Sequence, residues 1–333
     1  MLAAALAPAP ARALPRPEEL LDAALAAPSV PYQGHVMVTQ WYGHSADGRV
    51  RSRTEEMRVY VRPPDQVRRE FLTLDGTVAR VLISDGDRES VRLVKSGRTI
   101  VGDAAGTGDK VLAPELERAT LLSNYDLSVS TAEAVAGRAT WRLSFAPKAA
   151  GKARQTLWID RETKIVLRLK RWQPGRPFAS EAYFVSISPR KEQPEELFRV
   201  EDSTGVGSAV HARALAPRFL TLDQLRARSG STFPDKLPGG FIFESADVFS
   251  VRKSPVRHAR YTDGLTVLSV FQTDRPVRLP KNAAIPAGRE ALPGPLRAST
   301  AGKVMQWRVG PRHYVMMSDV SRDLMAEIAK SLR

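Results

Sequence analysis

The side chains with the widest chemical range in this 333-residue chain are five histidines, His35, His44, His211, His258 and His313. They are scattered along its length, with no His-x-x-x-His pair or other metal-ligand spacing, and so read as solvent-facing or capping residues. Cysteine is absent, which excludes disulfides, zinc-thiolate sites and a cysteine nucleophile. The carboxylate pairs Glu55-Glu56 and Glu195-Glu196 are adjacent in sequence, and on a strand adjacent side chains point to opposite faces. That is poor geometry for two acids that must share proton transfer. A glycine-rich segment, residues 102–108, lacks the Lys-Ser/Thr pair of a phosphate cradle, and no Gly-x-Ser-x-Gly elbow is present. No catalytic constellation can be assembled, so the chain is not expected to be an enzyme, and no metal or cofactor is expected. The chemistry left is binding.

Two kinds of binding surface can be read. The first is electrostatic. The formal net charge is +14, and it is unevenly spread: 31 Lys and Arg face 26 Asp and Glu up to Pro217, but 19 face 10 after it. Such a field favours an anionic lipid headgroup, an acidic peptide or a phosphate backbone. Nucleic acid is not expected as a partner, because no helix reads as a recognition helix. The second surface is apolar. Val36, Val38, Val59, Val61, Trp141, Leu143, Phe145, Leu157, Ile159 and Leu167 all fall on alternating, β-rich runs. If a sheet of these runs curls without enough side chains to fill it, its concave face becomes a pocket suited to acyl chains. Ordinary core packing is the alternative for the same residues.

These side chains must be positioned by a sheet. Residues 17–27 read as a short amphipathic helix with Leu20, Leu21, Ala24 and Leu25 on one face, its first turn suited by Pro17, Glu18 and Glu19. Strands are expected at 34–41, 56–62, 66–74, 79–84 and 90–95, with Asp75-Gly76 and Asp85-Gly86 as turns. Residues 112–123 break the rhythm and read as a helix or loop laid over the sheet. Strands resume at 138–145, 155–160, 164–172 and 178–188, completing an antiparallel meander.

Length and punctuation suggest two domains. Residues 1–13 end in the small-x-small sequence Ala11-Arg12-Ala13 and read as a short export leader. A first domain is expected over 14–200, a Gly/Ser/Ala-rich linker over 201–217 and a second domain over 218–333. The second contains a short helix at 221–228, strands at 240–246, 304–309 and 314–317, a Pro/Gly-rich loop at 276–295, and a last helix over 322–332 capped by Ser321.

The most informative stretch is 255–272, two extended runs hinged on Asp263-Gly264. Asp-Gly between β-rich runs signals a tight hairpin whose primed turn needs positive φ at both central residues. Its wording, Tyr261-Thr262-Asp263-Gly264-Leu265 followed by Ser269-Val270-Phe271, with the entry Leu237-Pro238-Gly239-Gly240-Phe241, resembles the C-terminal domain of the MucB/RseB family. Earlier segments agree. Pro31-Tyr32-Gln33-Gly34, Ser84-Asp85-Gly86, and Val135 to Ala139 followed by Leu157 to Thr163 are similar to the family's N-terminal domain, and the last of these is shared with lipoprotein carriers of the LolA/LolB type.

The resemblance implies an α+β, β-rich fold: a half-open antiparallel β-barrel (LolA-like) with covering helices, then a smaller α+β domain. It implies a periplasmic regulator that binds the external segment of a membrane-anchored anti-sigma factor and shields it from proteolysis. Lipid or lipopolysaccharide in the barrel is implied to release that partner. The concentration of charge points to the second domain as the docking surface, with Arg257, Arg260, Tyr261, Asp263 and Gly264 as candidates. A lipid or lipoprotein carrier using the same pocket is the rival reading, and self-association into a homo-oligomer stays open.

Overall fold

A computed structural model describes residues 13–44, 50–103, 112–175, 179–200, 210–211, 220–251, 253–276 and 303–332. Most of the leader, of the linker at 201–217 and of the loop at 276–295 lies outside these residues.

The first helix, α1 (Pro17–Leu25), starts where proline costs no hydrogen bond and buries Leu20, Leu21 and Ala24. Six strands follow: β1 (Tyr32–His44), β2 (Val50–Arg62), β3 (Gln66–Leu72), β4 (Val78–Ser84), β5 (Arg88–Leu93) and β6 (Arg98–Asp103). Then come α2 (Pro114–Asn124), β7 (Tyr125–Val135), β8 (Arg138–Pro147), β9 (Arg154–Asp160), β10 (Val166–Trp172) and β11 (Ala179–Pro189). Within the span expected to be a linker, β12 (Val210–His211) pairs parallel with Ile100 and Val101 of β6. Together these form one twelve-stranded sheet in the order β12-β6-β5-β4-β3-β2-β1-β11-β10-β9-β8-β7. Its two ends do not pair, yet β7 meets β11 although three strands lie between them in the sheet. The sheet is therefore a half-open barrel, strongly curled at the β7 end.

The second unit begins with α3 (Leu222–Ser229), capped reciprocally by Thr221 and Gln224 and ended by Gly230 in the left-handed region. A six-stranded sheet follows in the order β13-β14-β15-β16-β18-β17. Its strands are β13 (Lys236–Leu237), β14 (Phe241–Val251), β15 (Ser254–Thr262), β16 (Val267–Thr273), β17 (Lys303–Val309) and β18 (Arg312–Ser318). The last helix, α4 (Arg322–Ser331), is capped by Ser321, whose Oγ accepts from the Leu324 amide. Leu324, Met325 and Ile328 bury its apolar face in a core built wholly from residues 220–332.

Two expectations needed correction. The meander gains β6 and β7, which the periodicity did not predict. The Asp263-Gly264 hinge is a four-residue loop rather than a two-residue primed turn, since Thr262 pairs with Val267. The Asp263 carboxylate is the reason: its Oδ1 accepts from the amides of Leu265 (3.1 Å) and Thr266 (2.7 Å), closing an Asx-type turn. Only Gly264 then needs positive φ, at +97°.

Candidate functional site: a cavity and a plugged seat side by side on one sheet

The large sheet buries apolar side chains in two separate clusters. In one, Val36 and Val38 of β1, Met57, Val59 and Val61 of β2, and Phe71 of β3 join Trp158, Leu167 and Phe184. Here the curl leaves an open cavity of about 140 Å³. Its apolar walls include Val36, Val38, Met57, Val59, Leu167 and Phe184, and its charged lining includes Arg69 and the pair formed by Arg168 and Glu181 (2.5 Å). Tyr32 packs edge-on against Phe184 with ring centroids 5.9 Å apart, and burial pushes its phenol up to about 12. The Arg168 guanidinium lies over the Trp158 ring at 4.6 Å, so the wall is braced from the side away from Glu181.

In the other, Trp141, Leu143 and Phe145 of β8, Leu157 and Ile159 of β9 and Leu169 of β10 pack under α1 and α2. The register pairs Val38 with Ala182, Ala182 with Leu169 and Leu169 with Leu157, so the two clusters lie side by side on one face of the curled sheet, and Leu169 borders the cavity as well. The ten residues expected to line one pocket are divided between the two clusters. Val36, Val38, Val59, Val61 and Leu167 belong to the cavity-side cluster, while Trp141, Leu143, Phe145, Leu157 and Ile159 lie in the covered cluster.

The covered cluster has one member from the second unit. Leu265, in the loop after β15, is 2% exposed among Leu121, Trp141 and their neighbours. Around it runs a buried polar network. Lys152 Nζ donates to Asn124 Oδ1 at 2.7 Å and lies 3.5 Å from Asp263 Oδ2, and both charged side chains are essentially inaccessible. Tyr125 donates its hydroxyl to the same Asp263 oxygen at 2.7 Å. Asn124 Nδ2 reaches the Asp263 carbonyl (3.2 Å) and the Gly240 carbonyl (3.0 Å). Arg171 donates to the Leu265 carbonyl (2.6 Å) and to Thr266 Oγ1 (2.9 Å). Gln173 holds Asp319 at 3.1 Å. A β-carbon at Gly264 would stand 2.7 Å from the Leu121 side chain, so only glycine lets the loop seat this closely.

Electrostatics follow from this enclosure. Burial lowers the Lys152 pKa, and attraction to Asp263 opposes that shift. The Tyr125 phenol is held well above its ordinary range, first by burial and then by the Asp263 charge. Of the five residues expected to dock a partner, Tyr261, Asp263 and Gly264 are buried. Tyr261 donates to the Pro234 carbonyl at 2.8 Å. Arg257 pairs with Asp274 at 3.0 Å and Arg260 with buried Glu244 at 3.3 Å. In this conformation these five residues hold the second unit together and seat it on the first. Lys152 and Arg171 had no sequence signal of their own; Lys152 follows a turn, and Arg171 sits in a basic run that reads as a polar strand face. Among the described residues, no group of three His, Asp or Glu side chains could hold a metal ion, and no helix is long and apolar enough to cross a membrane.

Residues 37–199 match the model of the MucB/RseB N-terminal domain. The chain carries a MucB/RseB N-terminal domain. Among solved structures, MucB in complex with MucA(peri) aligns with a TM-score of 0.58 at 17% identity, covering 94% of this chain and 97% of that one. The MucA/MucB complex of Pseudomonas aeruginosa aligns equally well, with 17% identity, a TM-score of 0.58 and 94% and 96% of the two chains covered. At that identity the likeness is one of fold, and it covers 94% of this chain. A LolA superfamily protein from Nitrosomonas europaea aligns at a TM-score of 0.28 and 10% identity over 55% of this chain and 97% of its own, too distant to argue from. No curated protein matches the sequence.

Proposed function

We propose that this chain is an exported, periplasmic, non-enzymatic regulator. In this reading it binds the external segment of a membrane-anchored anti-sigma factor, shields it from proteolysis, and lets it go when an acyl chain enters the cavity of the large sheet. The observation that carries the reading is the shared fold with MucB in complex with MucA(peri) over 94% of the chain, second unit included. A carrier would need the cavity alone.

Magnitudes bound what lipid can do. A cavity of about 140 Å³ is below the roughly 300–1,000 Å³ of a site that encloses a whole ligand. It is close to one that holds a benzene ring, so it admits a stretch of about five methylenes. At ~0.8 kcal/mol each, their burial supplies at most about 4 kcal/mol. Lipid shifts the partner equilibrium only by its differential affinity for the two states, and typical couplings are about 1–3 kcal/mol. A short acyl segment is therefore sufficient, provided the cavity is smaller in the partner-bound state.

The test is capture of the full chain by an immobilised external segment of the anti-sigma factor, with acylated lipid then titrated in. Binding that weakens with lipid is expected. No detectable capture at low or moderate salt sinks the proposal, and lipid uptake without capture would favour the carrier reading.

A further inference from the structure

At the seat of the second unit an amine, a carboxamide and a carboxylate are shut in together. The side chains of Lys152 and Asp263 are 1% and 0% exposed, and Asn124 is buried beside them. Lys152 Nζ stands 2.7 Å from Asn124 Oδ1. The amide carbon Cγ is one C=O bond, ~1.2 Å, behind that oxygen, so the amine is within about 4 Å of a carbon it can attack. An ammonium has no lone pair to attack with, and this site disfavours the ammonium. Burial lowers the Lys152 pKa, with the Tyr125 and Phe241 ring centroids 5.6 and 5.8 Å from Nζ. Asp263 Oδ2, 3.5 Å from Nζ, is placed to take the proton, and the Tyr125 hydroxyl positions that oxygen. The leaving side is prepared as well. Asn124 Nδ2 faces the carbonyls of Thr120, Gly240 and Asp263 at 3.0, 3.0 and 3.2 Å, three acceptors suited to an ammonium. A β-carbon on Gly240 would stand 2.0 Å from Asn124 Oδ1, so the carboxamide fits only against glycine.

We propose that Lys152 and Asn124 join in an intramolecular isopeptide bond, with Asp263 as the proton carrier. Asp263 accepts a proton from the Lys152 ammonium, and the neutral amine adds to Asn124 Cγ. A bond forms between Nζ and Cγ, the bond between Cγ and Nδ2 breaks, and Nδ2 leaves with the transferred protons as ammonium. Nothing is oxidised or reduced, no co-reactant is needed, and the Asp263 carboxylate is regenerated. This is one event within one chain, not turnover of a substrate. The freshly folded chain holds the ion pair, and the bond follows it. Asp263 belongs to the second unit, so the bond forms only after that unit is seated and leaves a covalent record of the seating in the first. It ties the end of α2 to the segment before β9, which narrows the unfolded ensemble. The bond forms whether or not the chain binds an anti-sigma factor.

The experiment is intact mass spectrometry of the purified full chain over days at neutral pH, followed by tryptic peptide mapping. Wild type should lose the mass of one ammonia, and one cross-linked peptide should contain both Asn124 and Lys152. Wild type held unfolded in urea should keep its full mass, because the reaction needs the seated fold. Lys152→Met and Asp263→Asn should also keep theirs, with near-ultraviolet circular dichroism checking that each is folded. The cross-linked wild type should unfold at a higher temperature than the freshly folded chain. A folded wild type that stays at full mass overturns the proposal, as does loss of ammonia without the Asn124–Lys152 peptide. Cross-linking that persists in a folded Asp263→Asn overturns the role of Asp263. The wild-type peptide map decides the bond itself even where a variant does not fold.

Discussion

Two regions of the large sheet's apolar face carry nearly the same kind of side chain and meet opposite fates. Around β8, β9 and β10 the apolar residues are closed over by α1, α2 and the Leu265 loop, and the seam is fastened by buried Lys152, Asp263, Tyr125 and Arg171. Around β1, β2 and β11 nothing among the described helices lies over the face, and the curl leaves a cavity. The difference lies in what covers the face rather than in what lines it. A polar fastening also has a particular energetic character. A buried ion pair adds little net stability compared with an apolar replacement, but losing one partner is severe, so the pair specifies one seating more than it strengthens it.

The largest effect is therefore expected from halving the pair. Asp263→Asn keeps an acceptor for the Leu265 and Thr266 amides but leaves the Lys152 ammonium buried beside Asn124 Oδ1 and aromatic rings. The expected cost is about 3–5 kcal/mol. Urea unfolding of Asp263→Asn, Lys152→Met and the double variant measures it, and the double variant should recover most of the loss. A single variant within about 1 kcal/mol of wild type would show that charge does not fasten this seat.

Next comes truncation of one apolar residue in each cluster. Leu265→Ala empties a site with partners all round, at a cost of about 3 kcal/mol. Val59→Ala removes methyls from a wall that already borders open space, and it should cost nearer 1 kcal/mol. Equal losses in thermal or urea unfolding would erase the distinction between the clusters.

The sequence carried the strands well and the covering poorly. Trp141, Leu143 and Phe145 alternate just as Val36 and Val38 do, and alternation reports which residues share a face without saying what lies on it. β7 was hidden because α2 runs straight into it at Asn124-Tyr125 without a turn residue, and its Asp, Glu and Ala content is weak in strand signal. Asp263-Gly264 was found at the correct place, with charge beside it. That the charge is consumed internally, by Glu244 for Arg260 and by Lys152 for Asp263, requires contacts more than a dozen residues apart, which no local pattern encodes.

A smaller effect tests the cavity through its floor. A β-carbon on Gly34 would stand 2.6 Å from the Phe184 ring and 2.7 Å from the Ser186 carbonyl. The ring has the cavity to move into, whereas the carbonyl belongs to the β11 backbone. Gly34→Ala should cost about 1–2 kcal/mol and drive Phe184 into the space an acyl chain would use. Acyl-lipid binding should fall further than stability does. Retention of lipid binding would place the ligand elsewhere.

The finest distinction is in pH. Tyr32 on the cavity side has a phenol raised from 10.0 to about 12, so between those values the unfolded chain loses a proton that the folded chain keeps. Its contribution is fully present below pH 10 and is lost as pH rises toward 12, with a magnitude on the order of 1 kcal/mol because the ring is only partly buried. Lys152 on the covered side has a lowered pKa, so there the unfolded chain holds the extra proton. Its contribution therefore grows as pH rises toward the ordinary lysine range. Urea midpoints followed into that alkaline range should fall less steeply for Tyr32→Phe than for wild type, and more steeply for Lys152→Met. Parallel profiles for the two variants would mean that the two regions do not differ in how they hold their ionisable groups.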